Sequence, residues 1–330
     1  MKAVSIVIPV WNGRELLLRL LEKLRLQTFP IAEVLVIDNG SEDGAAEAAE
    51  QHGARVVRMG SNQGFSRAVN KGIETCRTEL VALVNSDVEP EPDWLRRLVD
   101  ALNSSGAWFA TGKILSASEP NRIDGTYDLL CRSGCAWRKG EGRLDGPEFS
   151  QQRSISIAPA TAALFRADLF QRAGRFDETF ESYLEDVDFG LRCALRDLQG
   201  IYVPDAVAYH RGSAALGRWN PRTVRQIARN QVLLVAKHYP PGALRRYWWP
   251  ILVGQSLWGL VALRHGAGGA FLRGKLEGLR YLRSAPPARD CGRLPRILKD
   301  GEREIAEEQR RTGFDFYWRM YFLFTSSEAD

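Results

Sequence analysis

Residues 80–90 read LVALVNSDVEP, five apolar residues, Leu80 to Val84, running straight into Asn85-Ser86-Asp87-Val88-Glu89-Pro90. A short unbroken apolar run bounded by turn residues is the pattern of a strand covered on both faces, which belongs to a parallel sheet with helices packed on each side. In such sheets the ligand crevice lies beyond the carboxyl ends of the strands. The polar residues after Val84 then have two readings. They make a turn and cap a helix starting near Pro92, or Asp87 is a working residue aimed into that crevice.

The chain on either side repeats the alternation. Strand Val4–Val10 is followed by helix Arg14–Leu26, strand Val34–Ile37 and helix Ala45–Gln51, then strand Ala54–Arg58, helix Ser66–Thr75, strand Leu80–Val84 and helix Trp94–Leu102. This βαβα order predicts an α/β, doubly wound, mainly parallel sheet. Right-handed crossovers place the strand-end loops on one edge, which gathers Asn12, Asp38 and Asp87 about a common crevice. Residues 116–154, rich in Gly and polar residues and including GEGRLDGPE, read as an exposed, mobile cover. Helix Glu185–Asp197, a short strand Ile201–Val203 and helix Thr223–His238, stopped by Pro240-Pro241, follow.

With 330 residues, 45% hydrophobic and 26% charged, the chain can bury a sizeable core. Its net charge of +5 conceals an asymmetry: residues 1–210 hold 24 Lys/Arg against 30 Asp/Glu, and residues 211–330 hold 21 against 10. The second part therefore suits an anionic partner. Within it, residues 248–263 form a 16-residue apolar stretch, WWPILVGQSLWGLVAL, shorter than the ~20 residues of a membrane-spanning helix. Flanking arginines and Trp248, Trp249 and Trp258 suit a helix lying among lipid headgroups, and a buried core helix is the competing reading. The terminal FDFYWRMYFLF repeats the aromatic theme. Nucleic acid is not expected, because the basic tail is interrupted by long apolar stretches and carries no recognition motif. Cys76, Cys131, Cys135, Cys193 and Cys291 are odd in number and form no CxxC pair, which points to a reducing cytosol and away from a zinc site. Val4–Val10 is too short for a secretory core and is expected to be the first strand.

The motifs narrow the chemistry. PVWNGRE at the exit of the first strand lacks the three glycines that wrap a dinucleotide pyrophosphate. Gly269 to Lys275 fits GxxxxGK but has no Ser/Thr after the lysine and follows no strand. Neither GxSxG nor HExxH occurs. In YLEDVDFGLR, residues 183–192, the i to i+3 spacing puts Glu185 and Asp188 on one helix face and leaves Asp186 free to face a crevice as a general base. His210 follows an apolar strand-like segment. Paired with Asp87, it would leave coordination positions for diphosphate oxygens and water on Mn²⁺ or Mg²⁺.

As a set, IVIPVWNG, VIDNGSEDG, NQGFSRAVNKG, NSDVEP, the long ATAALFRADLFQRAGRFDETFESYLEDVDFGLR and His210 stand in the order found in family-2 glycosyltransferases of GT-A fold. The chain resembles that family over about residues 3–215, most nearly its rhamnosyltransferase-like branch. The resemblance implies a GT-A catalytic domain over 1–215 and a helical, basic C-terminal region over 216–330. It implies that Pro9, Val10 and Asn12 line the nucleotide site, that Asp38 contacts base or ribose, and that Asn62, Gly64 and Asn70 shape the donor pocket. Asn85-Ser86-Asp87 occupies the DxD position, so Asn85 and Ser86 would meet the donor, Asp87 would be the metal ligand and His210 its later partner. Asn85 departs from a full DxD, and Glu89 is the acid that could contribute instead. Asp186 of the Glu185-Asp186 pair would be the base of an inverting transfer from a nucleotide-diphosphate sugar, dTDP-rhamnose by branch, to a polyprenyl-linked or polysaccharide acceptor. The expected setting is the cytoplasm, peripherally at the inner face of the membrane. A noncatalytic sugar-nucleotide-binding scaffold is the alternative.

Overall fold

A computed structural model describes residues 3–212, 219–282 and 292–325. Cys291 lies outside the described residues, as do 213–218, where the expected domain boundary falls. The elements in chain order begin with β1 (Val4–Val10), α1 (Arg14–Arg25), β2 (Glu33–Asp38), α2 (Ala45–Gln51), β3 (Arg55–Arg58), α3 (Phe65–Thr75) and β4 (Leu80–Val84). Next come β5 (Val88–Pro90), α4 (Trp94–Ser105), β6 (Phe109–Ser116), β7 (Ile123–Gly125), β8 (Asp128–Leu130) and β9 (Ala136–Arg138). They are followed by β10 (Arg153–Ile155), β11 (Ala162–Arg166), α5 (Leu169–Ala173), α6 (Glu185–Leu195) and β12 (Gly200–His210). Among the described residues five helices follow: α7 (Pro221–His238), α8 (Pro241–Arg264), α9 (Gly268–Leu282), α10 (Leu294–Thr312) and α11 (Phe316–Thr325).

Contacts divide the chain into two compact units. One comprises Met1–Tyr127 and Gly140–Ala215, the other Asp128–Lys139 and Leu216–Asp330. The first holds a ten-stranded sheet of order β10-β12-β6-β11-β4-β1-β2-β3, with β5 paired to β12 and β7 to β6. Strands β4, β1, β2 and β3 run parallel, as do β12 and β6, while β11 is antiparallel to both β4 and β6. The doubly wound, mainly parallel sheet expected from the alternation is therefore present. Strand β4 is buried at all five positions, because α1 and α4 cover one face and their apolar side chains, Leu17, Leu20, Leu98 and Leu102 among them, share a core with Ile6, Ile8 and Ala82. Each such side chain contributes ~1.5–3 kcal/mol by leaving water.

Three expectations need correction. Residues 116–154 are not a loose cover. Ile123 to Cys135 are buried apart from Asp124, β7 joins the main sheet, and the β8–β9 hairpin belongs to the second unit. The apparent strand Ile201–Val203 is an 11-residue strand in which Pro204 and Asp205 fall within an irregularity between Val203 and Val207. The residues after Val84 do not cap a helix. Val88–Pro90 form β5 against β12, and α4 starts only after Asp93.

In the second unit α9 lies directly against α7. A Cβ on Gly274 would stand 2.1 Å from Arg225 O and one on Gly278 would stand 2.6 Å from Val232 Cβ, so the two glycines, one turn apart, permit the close approach. In the same unit Arg132 and Glu302 of α10 form a buried pair at 2.6 Å, and Tyr321 Oη of α11 donates to the same carboxylate at 2.5 Å. The stretch 248–263 satisfies neither competing reading alone: within α8, Tyr247, Val253, Leu257 and Ala262 are buried, while Trp248, Leu252, Leu260 and Leu263 are exposed. Among the described residues no helix is long and apolar enough to cross a membrane.

Candidate functional site

The carboxyl ends of the adjacent strands β4, β1 and β2 carry the first group of expected site residues. Pro9 and Val10 end β1, paired with Ile37 and Asp38 of β2. Asn12 follows in a left-handed conformation (φ 59°), its Oδ1 accepting from Glu42 N at 3.0 Å and its N donating to Ser41 Oγ at 2.9 Å. Asp38 is 5% exposed, and its Oδ1 accepts from Ser41 N at 3.0 Å. The turns after β1 and β2 are thus stitched together at the strand ends, as the crossover argument requires.

Asn62 and Gly64 lie beside this edge. Buried Asn39 donates through Nδ2 to Asn62 Oδ1 and Gly64 O, both at 3.2 Å, and accepts from Gln63 N at 2.9 Å. Gly64 has φ +89°, and an added Cβ would meet Glu181 O at 3.1 Å, so glycine is needed for both conformation and space. Asn70 is buried: its amide oxygen accepts from Phe176 N and its amide nitrogen donates to Phe176 O and Glu178, which clamps the segment leading to α6.

Strand β4 delivers Asn85, Ser86 and Asp87. Asn85 Oδ1 is a buried acceptor with no hydrogen-bond partner. Asp87 Oδ1 stands 3.3 Å from His210 Nε2, because β12 pairs with β5 in a register that sets His210 opposite Val88. His210 Nδ1 is 2.8 Å from Asp124 Oδ2 on β7. Burial works against the charged imidazole, but hydrogen bonds and charges from Asp124 and Asp87 outweigh it and raise the His210 pKa to about 9. Glu89 pairs with Arg211 at 3.0 Å.

The donor set suits a divalent cation. Two adjacent ligands of an octahedral ion at about 2.1 Å stand about 3.0 Å apart, close to the 3.3 Å between Asp87 Oδ1 and His210 Nε2. A carboxylate on Nδ1 is the partner that fixes an imidazole with Nε2 presented to a metal. Among the described residues no group of three or more His, Cys, Asp or Glu is arranged to hold a metal ion by itself.

Helix α6 brings the second group. Glu185 and Asp188 are buried, and Asp188 pairs with Arg192 at 2.9 Å, whereas Asp186 is half-buried, the division that the i to i+3 spacing predicts. Asp186 Oδ2 accepts from Ala160 N at 3.3 Å, and the neighbouring Thr161 O accepts from Asn85 N at 2.9 Å. The segment between β10 and β11 thereby ties Asp186 to the residue that begins the Asn85-Ser86-Asp87 turn. Ahead of α6, Glu181, Tyr183 and Leu184 are left-handed (φ 61°, 69° and 65°), a costly backbone that structures retain where a site depends on it. Glu181 O accepts from Ser66 N at 2.9 Å, which joins this segment to the first turn of α3, directly after Gly64.

Sequence reasoning missed Asp124 and Asn39. Asp124 carries a signal only in retrospect, as a polar residue between Ile123 and Gly125, both buried, in a three-residue strand. A cleft of about 560 Å³ elsewhere in the unit, lined by Leu24, Pro30, Glu33 and His52 among others, contains none of the expected site residues.

The family model described as Glycosyl transferase family 2 matches residues 5–174. The N-acetylglucosaminyl-diphospho-decaprenol L-rhamnosyltransferase of Mycobacterium tuberculosis is 26% identical over 270 residues, 74% of this chain and 86% of that protein. The pre-mycofactocin glycosyltransferase of the same organism is 29% identical over 223 residues, 66% of this chain and 45% of that one. Among solved structures, GalNAc-T7 with UDP, GalNAc and Mn²⁺ superposes with a TM-score of 0.64 at 13% identity, covering 95% of this chain and 58% of that chain. The mannosyltransferase PcManGT from Pyrobaculum calidifontis, in complex with GDP-Man and Mn²⁺, superposes at 0.53 and 18% identity, covering 98% and 86%.

Proposed function

Because the chain belongs to glycosyl transferase family 2, we propose that it is an inverting transferase that moves a sugar, rhamnose in this reading, from a nucleoside-diphosphate donor to a lipid-linked glycan of the cell envelope. The observation that carries the reading is the convergence on one sheet edge of Asp87 with His210 and, through Thr161 and Ala160, of Asn85 with Asp186. The rhamnosyl donor and the polyprenyl-diphosphate acceptor are supported by the 26% identical relative whose name states both.

Asp87 and His210 would hold Mn²⁺ or Mg²⁺, which supplies positive charge to the departing diphosphate. Asp124 keeps the His210 ring turned so that Nε2 faces Asp87. Asn85 Oδ1, a buried acceptor without a partner, receives a hydroxyl of the donor. The base is Asp186. It takes the proton of the acceptor hydroxyl while that oxygen bonds to the anomeric carbon and the carbon–phosphate-oxygen bond on the opposite face breaks, releasing the nucleoside diphosphate. Pro9, Val10, Asn12 and Asp38 bind the nucleotide. The polar residues grouped about β1 and β2 suit such a ligand. The setting is the cytoplasmic face of the membrane, where a lipid-linked acceptor would be presented.

Thermal unfolding with dTDP, UDP and GDP, each with and without Mn²⁺, tests the reading, since a ligand bound only by the native state raises its melting temperature. A metal-dependent rise with one nucleotide, lost in Asp87→Ala, is expected. No rise with any of the three would sink it.

A further inference from the structure

The outer surface of the second unit carries an unusual residue set. Sixteen large apolar side chains are exposed among the described residues, and thirteen of them fall between Leu244 and Phe324. Their arrangement follows from helix geometry. Gln255 Oε1 accepts from Lys275 Nζ at 2.7 Å, and Gly259 faces Phe271, so numbers rise along α8 as they fall along α9 and the two helices are antiparallel. Each following residue turns about 100° around its axis. In an antiparallel pair this rotation carries the residues after the contact positions to the same side. Leu260 on α8 and Leu272 and Leu276 on α9 therefore share one face, joined by Leu252, Leu263 and Leu279, and all six are 49% to 64% exposed. Trp249 continues the face to α11, donating through Nε1 to Phe324 O at 2.8 Å beside exposed Leu323 and Phe324.

Charge selects the occupant. Helices α8, α9 and α11 contain six arginines and one lysine against a single acid, Glu277, and that acid is already paired with Arg225 and Arg273. Lys275 is turned inward onto Gln231 and Gln255. A second copy docked by two-fold symmetry would set this arginine-rimmed face against itself, with no free carboxylate opposite. An anionic bilayer satisfies both features, since acyl chains accept the leucines and tryptophans while lipid phosphates accept the arginines. We propose that the joint outer face of α8 and α9, continued by the end of α11, is a docking surface for an anionic lipid bilayer. The face lies in the headgroup plane, with no helix crossing. This deepens the proposed function by naming the surface from which a lipid-linked acceptor would be met, and rests on that reading only for its purpose.

Co-sedimentation of the full chain with vesicles of phosphatidylcholine and with vesicles containing phosphatidylglycerol tests it. Binding is expected to the anionic vesicles, weakening as NaCl is raised. Arg264→Ala and Arg280→Ala should each weaken it about fivefold, and Leu260→Glu with Leu276→Glu should weaken it more than tenfold. The wild-type tryptophan emission should shift to the blue on binding and be quenched by brominated lipid, a readout that needs no variant. Failure to bind anionic vesicles at low salt would overturn the proposal, as would binding indifferent to the glutamates. A stable dimer in solution that the same glutamates dissociate would also overturn it, by giving the face to a second copy. Nucleotide-induced thermal shifts are read on the same preparations. Their survival alongside lost vesicle binding would refute the docking face and leave the transferase reading standing.

Discussion

His210 Nδ1 lies 2.8 Å from Asp124 Oδ2, while Nε2 of the same ring lies 3.3 Å from Asp87 Oδ1. One imidazole is thus held between two carboxylates, one in the turn between β4 and β5 and one on β7, and each carboxylate meets a different nitrogen. Removing Asp124 frees the ring to rotate and reduces the basicity of Nε2. Outer partners of this kind are worth about 10–100-fold in metal affinity. Asp124→Leu should weaken Mn²⁺ binding by that factor, read from water-proton relaxation, whereas Asp124→Asn, which keeps a hydrogen-bond acceptor, should lose less. Equal affinity in wild type and Asp124→Leu would show that the ring is positioned by something else.

Asp186→Asn should lower sugar transfer by about 10²–10⁴-fold, the range for a general base, and leave the thermal shift caused by donor nucleotide and metal intact. A variant that loses both would assign Asp186 to binding or folding.

The resemblance between sequence and structure is greatest where periodicity is strongest. Helix Ala45–Gln51 and strands Val4–Val10 and Leu80–Val84 were readable to the residue, because their apolar patterns are complete within the element. Strands β5 and β7 were not readable. Each has three residues, too few to show a period; β5 exists through its pairing with β12, far away in sequence, and β7 through an irregular antiparallel pairing with β6. The antiparallel sense of β11 was equally hidden, since ALFR within an apolar run says nothing about direction. Asp87, Asp186 and His210 were legible as residues, but the Asp87–His210 approach depends on the β5–β12 register, and Asp124 depends on β7. The acidic helix was the best case: residue spacing alone separated half-buried Asp186 from buried Glu185 and Asp188.

Lys275 makes a pH test possible in the second unit. Burial lowers its pKa to about 8 from the ordinary 10.5, so the folded chain loses this proton more readily than the unfolded chain does. Below pH 8 both states are protonated and the cost of the buried charge is fully present. Between pH 8 and 10.5 the unfolded state binds more protons, and this group's contribution to stability improves with pH, by up to about 3 kcal/mol. Urea unfolding at pH 7.5 and 9.5 should show about 2 kcal/mol of that gain in wild type relative to Lys275→Met, in which the pH-dependent increment disappears. An identical pH profile in the two proteins would mean that the lysine is not desolvated.

The Arg132–Glu302 pair, 6% and 7% exposed, cannot be cut on one side without leaving a buried charge. Glu302→Gln should cost about 3–5 kcal/mol in unfolding free energy. Replacing both partners with apolar residues should cost much less. A double-mutant comparison by chemical denaturation checks this, and additivity of the two single changes would count against a coupled pair.

The bonds from Thr161 O to Asn85 N and from Ala160 N to Asp186 Oδ2 leave the main chain at adjacent residues. The gauge between the strand end that presents Asp87 and the helix that presents Asp186 is therefore set by the main chain of two consecutive residues. Any small residue can occupy position 160 without changing that gauge. Proline alone is barred outright, because it has no N–H to offer the carboxylate.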